Sequence, residues 1–338
     1  MASNTHFVHP PLSKPQQKFR LLTLFPGQRS DQIQCQLRTA SIRSQSEYNA
    51  MSYTWGDPGA EEDISVNSAA FKVRRNLWLA LRDLRDPTMP LTLWADAVCI
   101  NQNDFDERNQ QVPIMGKVFS GAQRVHIYLG PASCWTDEIL DLVQGLHEYI
   151  DERWDEWSTN RANWRLEIEM EFNRTQAFTN SLPWPRRIWV VQEYALARST
   201  EVWWGTRHFP FAHLCSLATA FEYTTTLTTP EIYDGMKSLY QIGRTSSSGP
   251  VRLSCLGLLC TFRSSDATDP RDKVYALLSL IAEDDFKFRP MYGDPVATVY
   301  TDFVKTYVGM TGELDILAFS LPQPSNPHKL PSWVPDWS

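Results

Sequence analysis

The sequence predicts an α/β fold in which a mainly parallel sheet is flanked by helices. Between residues 48 and 129, strand-like and helix-like hydrophobic patterns alternate, as they do when crossover helices join parallel strands. Residues 91–100 are nearly continuously apolar, which is typical of a strand buried on both faces. Residues 48–54 and 124–129 are also strand-like, and a glycine-containing turn ends each of them.

Further extended segments are predicted before residue 48 and between residues 54 and 91. Residues 1–17 are polar and rich in proline, so we expect a poorly ordered lead-in. Residues 19–24 and 33–37 are predicted to be two strands, because apolar and β-branched residues recur between turn residues. Residues 64–66 and 71–73 are predicted to form a small hairpin.

Helix starts are marked by capping residues. Asn76 is the expected N-cap of a helix after the hairpin. Asp104, with Glu107 three residues later, resembles a capping box and should begin a second helix. Pro113 interrupts the apolar stripe that follows, which predicts a kink or two short helices. Residues 187–198 are predicted to be a further helix.

These elements predict three regions along the chain. After the lead-in, one domain covers residues 18–212 and carries an acidic, tryptophan-rich helical insertion at residues 132–182. Residues 213–338 are predicted to be a helical extension packed on that domain. Asp269-Pro270 supports this prediction, because an acidic N-cap followed by proline begins many helices.

The composition describes a soluble protein of a reducing compartment. Of 338 residues, 42% are hydrophobic and 21% charged, and the net charge of −7 argues against a general nucleic-acid binder. Six cysteines show neither CxxC pairs nor metal-ligand spacing, which predicts free thiols and a cytoplasmic location. No apolar run approaches the roughly 18 residues that a membrane span needs, and no signal peptide is apparent.

Three blocks place tryptophans, acids and amides inside or beside apolar runs. They are residues 48–57 (YNAMSYTWGD), 93–102 (LWADAVCINQ) and 187–193 (RIWVVQE). A buried acid or amide without a partner costs on the order of 1–3 kcal/mol, so these side chains must be hydrogen-bonded or functional. The P-loop, the dinucleotide fingerprint, GxSxG and HExxH are all absent, and we predict neither a metal nor a resident cofactor.

The three blocks closely resemble the hallmarks of the fungal heterokaryon incompatibility (HET) domain, which read roughly Y-x-A-L-S-Y-x-W-G, W-I-D-A-x-C-I-N-Q and R-x-W-x-x-Q-E. The resemblance is strongest over residues 48–198. It departs mildly from the pattern at Met51 and Ala95, where the family often has leucine and isoleucine. The resemblance implies an effector of nonself recognition that triggers programmed cell death when different hyphae fuse.

The same resemblance implies a fold and two alternative mechanisms. HET domains have been likened to Toll/interleukin-1 receptor (TIR) domains, which implies a flavodoxin/TIR-like sheet. Some TIR domains cleave NAD⁺ with a glutamate on a W-x-x-x-E helix, and Trp189 and Glu193 have this spacing. Others assemble as scaffolds. The chain is therefore either an NAD⁺ nucleosidase, with NAD⁺ as substrate, or a non-catalytic module that signals by self-association or by docking a partner protein.

Glu193 and Trp189 are the predicted catalytic pair, because residues four apart lie on one face of a helix. A carboxylate beside the ribose can stabilise the oxocarbenium ion that forms when a nicotinamide–ribose bond breaks. The indole can support the acid or stack on the leaving ring. Alternatively, the tryptophan is a core residue and the acid pairs with Arg186, Arg187 or Arg198.

Polar residues at strand ends are the predicted ligand-binding residues, because ligands of parallel α/β sheets bind beyond the carboxyl ends of the strands. The candidates are Tyr53, Trp55, Gly56, Asp57, Asp96, Asn101 and Gln102. Each has a structural alternative. Asp96 could cap backbone amides or pair with Arg108 or Arg124, and Asp57 could simply be a turn residue. If the protein is an assembly module, the insertion at residues 132–182 is the expected contact surface.

Overall fold

A nine-stranded mixed sheet forms the centre of the protein in its computed structural model. The structure describes residues 7–44, 46–152, 182–216, 254–281, 286–320 and 326–338. The strands are β1 (Lys18–Leu24), β2 (Gln34–Ser41), β3 (Asn49–Tyr53), β4 (Glu61–Val66), β5 (Ala69–Arg74), β6 (Leu91–Trp94), β7 (Val125–Gly130), β8 (Thr200–Trp204) and β9 (Arg207–Pro210). Their order across the sheet is β5-β4-β2-β1-β6-β3-β7-β8-β9.

Helices connect and cover these strands. They are α1 (Arg75–Leu84), α2 (Asp96–Cys99), α3 (Phe105–Gln111), α4 (Met115–Gly121), α5 (Thr136–Glu152), α6 (Trp189–Ala195), α7 (Cys255–Thr261), α8 (Asp272–Tyr275) and α9 (Val296–Thr311). Short 3₁₀ turns lie at Val112–Ile114, Trp184–Arg186, Leu278–Leu280 and Asp315–Phe319. In the part of the chain described, no helix is long and apolar enough to cross a membrane.

The α/β prediction is confirmed, but the sheet is mixed: its centre is parallel, and of the outer pairs β2–β4 is parallel as well. Strands β6, β3, β7 and β8 run parallel to one another. On either side, β1 pairs antiparallel with β2 and β6, β4 with β5, and β8 with β9. The three hairpin pairs follow from short connections, which can join only antiparallel neighbours. The prediction of a mainly parallel sheet is therefore wrong for the outer strands, apart from the β2–β4 pair.

The predicted strand over residues 91–100 is shorter than expected. Strand β6 ends at Trp94, and the rest of the apolar run belongs to helix α2. The side chain of Asp96 accepts the N–H of Ala97 at 2.8 Å, a local bond that favours a helical turn over a strand. Val98 and Cys99 are fully buried within that turn. A short apolar run is compatible with either structure, so its pattern alone could not locate the boundary.

The predicted helix starts are confirmed at one position and corrected at another. Asp104 caps α3 by accepting the N–H of Glu107 at 3.0 Å. Pro113 lies in the 3₁₀ turn that divides α3 from α4, so two short helices form, as expected. Asn76 is not a cap. Helix α1 already begins at Arg75, and the Asn76 amide instead donates to the backbone oxygen of Thr54 at 3.1 Å.

Regions outside the central domain share its hydrophobic core. Within the proposed extension, α7, α8 and α9 contribute buried residues to the same cluster as the sheet, and Trp337 is 2% exposed. Helix α5 begins the predicted insertion, but residues 153–181 lie outside the described residues. The described part of the predicted lead-in, residues 7–17, contacts the domain. There, the Phe7 N–H donates to the Ala70 oxygen at 3.2 Å.

Candidate functional site

A cavity of about 770 Å³ lies at the carboxyl ends of β3 and β6. One wall consists of residues 54–56, which follow β3, and of side chains from α2 and the loop after it. The other wall is formed by α6 and by residues 266–272. Two predicted strand ends and the predicted Trp-x-x-x-Glu helix therefore meet around one space.

Glu193 lines this cavity from α6, with only 5% of its surface exposed. The hydroxyl of Ser52, on β3, donates a hydrogen bond to its carboxylate. The indole N–H of Trp184 in turn donates to the Ser52 oxygen at 2.8 Å. Both partners are buried, so a chain of hydrogen bonds fixes the acid against the central strand.

The expected ion pairs of Glu193 do not form among the described residues. The guanidinium of Arg187 donates to the backbone oxygen of Tyr53. That of Arg198 donates to the Ser120 oxygen at 2.7 Å. No basic group in the described ranges lies within 4.0 Å of the Glu193 carboxylate. Among the residues that the structure describes, the acid is therefore buried without a salt bridge.

Burial raises the pKa of Glu193 to about 7. The nearby charge of Arg187 and the Ser52 hydrogen bond act in the opposite direction and lower the pKa, whereas the charge of Asp96 raises it. Near neutral pH, protonated and ionised forms are both populated, which is the range in which a carboxylate can exchange protons during a reaction.

Trp189 connects α6 to the opposite wall of the cavity. Its indole N–H donates to Oδ2 of Asp272 at 3.0 Å, and the hydroxyl of Tyr292 donates to Oδ1 at 2.6 Å. Burial raises the pKa of Asp272 to about 6, although both hydrogen bonds lower it. Trp189, Asp272 and Tyr292 all line the cavity, so the tryptophan is a wall residue as well as a partner of the core.

Asp96 holds two other predicted residues in place. Its Oδ1 accepts the Tyr53 hydroxyl at 2.8 Å, and its Oδ2 accepts the Trp55 indole N–H at 2.9 Å. It also caps the Ala97 amide, as the structural alternative expected. It forms no ion pair with Arg108 or Arg124. The carboxylate therefore positions Trp55 at the cavity wall.

The remaining predicted residues are divided between this cavity and its surroundings. Gln102 lines the cavity and donates from Nε2 to the Asp96 oxygen at 2.9 Å. Asn101 lines a neighbouring cavity instead, and its N–H donates to Glu107 at 2.7 Å. Asp57 is exposed, lines neither of these two cavities, and accepts the Gly59 N–H at 2.8 Å within a turn.

Gly56 lies at the end of β3, where the chain turns beside the cavity. Its φ of +77° is in the left-handed region, and an added Cβ would lie 2.8 Å from the Asn76 side chain. Asn76 is itself fixed by its bond to Thr54. Both the backbone angle and the space at this position therefore require glycine.

We expect Gly56→Ala to destabilise the protein by about 1–2 kcal/mol, because alanine combines the left-handed penalty with a steric clash. Urea unfolding measures the difference. Gly293→Ala is the matched control, since Gly293 has no positive φ and, among the described residues other than its chain neighbours, no atom lies within 4 Å of the point that an added Cβ would occupy. Equal midpoints for the two variants would contradict the assignment.

Comparison with known proteins shows which family this site resembles. Residues 48–193 match the sequence model described as Heterokaryon incompatibility protein (HET), a range that runs from the first motif to the cavity acid. Residues 48–193 therefore resemble a HET domain. It is 29% identical to heterokaryon incompatibility protein 6, OR allele, of Neurospora crassa, over 97% of this chain. The chain spans 58% of the length of that curated relative. No solved structure matches the chain described here.

The three HET motifs each supply one part of the cavity. The first ends β3 with Trp55 and Gly56, the second provides Asp96 and Gln102, and the third provides α6 with Glu193. The motifs are thus separated in sequence because they belong to separate elements that meet at one edge of the sheet.

Several side chains of the HET site have weak or no sequence signals. Ser52 could have been found as a hydroxyl inside an apolar strand, within the first motif. Trp184, Asp272 and Tyr292 lie outside the three motif blocks, and only the fold brings them to the site. Among the described residues, no group of three or more histidine, cysteine or acidic side chains could hold a metal ion.

Proposed function

We propose that the HET domain is an NAD⁺ nucleosidase that uses Glu193 as its catalytic carboxylate. The observation that carries the proposal is the position of this acid. It lines a cavity of about 770 Å³ at the carboxyl ends of central parallel strands, and no cation of the described residues lies within 4.0 Å of it. Buried, unpaired acids are costly for stability, so a binding or catalytic role is a reason to retain one.

The arrangement of the central strands supports a flavodoxin/TIR-like core for this site. In chain order, β3, β6, β7 and β8 are the first to fourth of the mutually parallel strands. Across the sheet they stand in the order second, first, third, fourth. Flavodoxin-like sheets begin with the same order, and their ligands bind beyond the carboxyl ends of the strands. The antiparallel strands on both sides would be additions to this core.

The proposed reaction is hydrolysis of the nicotinamide–ribose bond. The C–N bond breaks, and its electron pair leaves with nicotinamide as a neutral molecule. The ionised Glu193 would stabilise the oxocarbenium ion at the ribose carbon. A water oxygen then bonds to that carbon, and its proton passes to the carboxylate. The products are nicotinamide, ADP-ribose and one proton, which the acid returns to solvent.

Other cavity residues would bind the substrate. Trp189, on the same face of α6 as the acid, is placed to lie beside the leaving ring. Trp55, Gly56 and Gln102 would surround the ribose, with Tyr53 holding Asp96 and thereby the Trp55 indole. The nucleotide enters as a substrate and not as a resident cofactor.

The test is nicotinamide release from NAD⁺ by the purified protein. We expect Glu193→Gln to lower turnover by about 10²–10⁴-fold, the range found for loss of a positioned acid or base. The wild-type rate should rise with pH through about 7, since only the ionised carboxylate can accept the proton. Glu313→Gln, an exposed position outside the cavity, should keep the wild-type rate. Equal rates in the two variants would refute the assignment of Glu193.

A non-catalytic assembly module is the second candidate. The observation in its favour is Trp135, which is 63% exposed at the beginning of the insertion helix α5. Large exposed apolar side chains are frequent at protein–protein contact surfaces. A protein that releases no nicotinamide at any concentration, yet self-associates or binds a signalling partner, would favour this candidate.

For either mechanism, we propose a role in heterokaryon incompatibility, as an effector of nonself recognition that leads to programmed cell death. The name of the Neurospora relative supports this role. A cytoplasmic site of action is supported by Cys35, Cys99, Cys134 and Cys260, which are free thiols, as a reducing compartment maintains them.

A further inference from the structure

A second cavity, of about 610 Å³, adjoins the one that contains Glu193. Trp55, Arg74 and Gln102 line both spaces and therefore form their common boundary. Small-molecule sites typically occupy roughly 300–1,000 Å³, so each cavity is large enough for one part of an extended ligand. None of the predicted catalytic residues lines the second cavity.

Aromatic rings form one side of the second cavity. Phe7 and Phe71 pack edge to face with ring centres 5.2 Å apart, and the His9 ring is 5.0 Å from that of Phe7. His9 is fixed by a 3.0 Å hydrogen bond between Nε2 and the Val98 oxygen. These rings are only partly buried and line an open space, so a planar heterocycle can stack on them.

Polar groups surround the remaining space. Asn101, Gln102 and Asn103 line the cavity and offer amide donors and acceptors, which suit the hydrogen-bonding edge of a nucleobase. Apolar stacking faces together with side-chain amides are the combination that binds bases in proteins.

Arg74 places a positive charge where the two cavities meet. Its guanidinium carbon lies 5.0 Å from the centre of the Trp55 ring, and Nη1 donates to the Gly56 oxygen at 3.2 Å. The neighbouring cations are already paired, Lys72 with Asp63 and Arg75 with Glu62, both at 3.7 Å.

Arg74 itself has no carboxylate within 4.0 Å among the described residues. Glu61 pairs with Arg74 across β4 and β5 and also lines the second cavity, but its carboxylate does not lie within 4.0 Å of the Arg74 guanidinium. A stacked guanidinium keeps its N–H groups in one plane, the geometry that binds phosphate.

We infer that the second cavity binds the nucleoside monophosphate half of a dinucleotide, with the base on the Phe7–Phe71 rings and a phosphate at Arg74. This inference rests on the proposed function, because it extends the substrate from the Glu193 cavity across the shared boundary. The nicotinamide riboside half then lies beside Glu193, and the pyrophosphate crosses at Arg74.

Calorimetric titration with AMP tests the phosphate contact in the Glu193→Gln protein, where no turnover interferes. Arg74→Met in that background should weaken AMP binding by about tenfold or more, because a charged hydrogen bond is lost. Arg75→Met is the matched control, since this adjacent arginine lines neither of the two cavities, and it should bind AMP unchanged. Circular dichroism confirms that each variant is folded. Absence of AMP binding, or equal affinity of the two variants, would overturn the inference.

The base contact has its own test. Ribose 5-phosphate, which lacks the base, should bind roughly tenfold more weakly than AMP, the effect of losing one base–aromatic stack. Phe71→Leu should remove most of this difference while leaving the affinity for ribose 5-phosphate unchanged. If the protein with Phe71 intact binds AMP and ribose 5-phosphate with equal affinity, the base is not bound on these rings.

Failure of this inference differs from failure of the proposed hydrolase. A protein that releases no nicotinamide but binds AMP in an Arg74-dependent manner retains the subsite and loses the catalytic proposal. A protein that cleaves NAD⁺ and nicotinamide mononucleotide equally fast, without binding AMP, retains the catalytic proposal and refutes the subsite.

Discussion

Replacing Glu107 by alanine is expected to destabilise the protein by about 3–5 kcal/mol, since it leaves a buried arginine without its counter-ion. Arg20 is 1% exposed, and its guanidinium donates to both carboxylate oxygens of Glu107, at 2.6 and 2.9 Å. Its other bonds go to the backbone oxygens of Cys99 and Pro10. A loss of this size is a large fraction of the roughly 5–15 kcal/mol that stabilises a typical domain.

Urea unfolding of a small set of variants tests this expectation. The double change Arg20→Met with Glu107→Leu should cost less than Glu107→Ala alone, because no charge remains buried. Asp63→Ala removes an exposed ion pair with Lys72 and should cost less than about 1 kcal/mol. Similar losses of unfolding free energy for Glu107→Ala and Asp63→Ala would show that the buried Arg20–Glu107 pair stabilises the protein no more than an exposed ion pair does.

Glu193→Gln is expected to stabilise the protein at pH 8, by up to about 3 kcal/mol, and to leave its stability at pH 4.5 nearly unchanged. In the folded protein the pKa of Glu193 is raised from 4.5 to about 7, mainly by burial. The folded state therefore holds this proton more tightly than the unfolded state does. Between pH 4.5 and 7 the wild type loses stability as pH rises, and above pH 7 the loss is complete. Because glutamine does not ionise, the Glu193→Gln variant does not lose stability in this way as the pH rises.

Unfolding free energies at the two pH values, measured for wild type and variant, decide this prediction. Glu313→Gln serves as the reference, because an exposed glutamate should give the same small difference at both pH values. A stabilisation by Glu193→Gln that does not depend on pH would mean that burial of the charge is not its cause. The expected combination, greater stability with loss of turnover, is the usual result when a costly group at an active site is removed.

Local sequence patterns predicted the strands and the helix around the site, but they did not predict how these elements come together to form it. The apolar runs at β3 and β7 and the helix carrying Glu193 could be predicted because each has a strong pattern over a few residues. The boundary at Asp96 could not, since one side-chain hydrogen bond decides between strand and helix there. The antiparallel outer strands follow from connection lengths that hydrophobic patterns do not encode.

The second wall of the cavity could not be predicted from the sequence for a different reason. Trp189 and Asp272 are 83 residues apart, and their hydrogen bond leaves no periodic or local signal in either segment. Similarly, Ser52 and Glu193 are separated by 141 residues. Contacts of this range depend on tertiary packing, so the sequence motifs indicate the acid but not the groups that hold it.

The position of Asp272 has a consequence for what counts as the autonomous unit of this protein. The segment that matches the family model ends at residue 193, so it includes Glu193 but excludes Asp272 and Tyr292. Excised at those limits, it would expose the indole nitrogen of Trp189 and open one side of the cavity to bulk water. The segment that matches the family model is therefore smaller than the segment that forms the cavity, so a fusion that is meant to keep the cavity intact must also contain the chain as far as Tyr292.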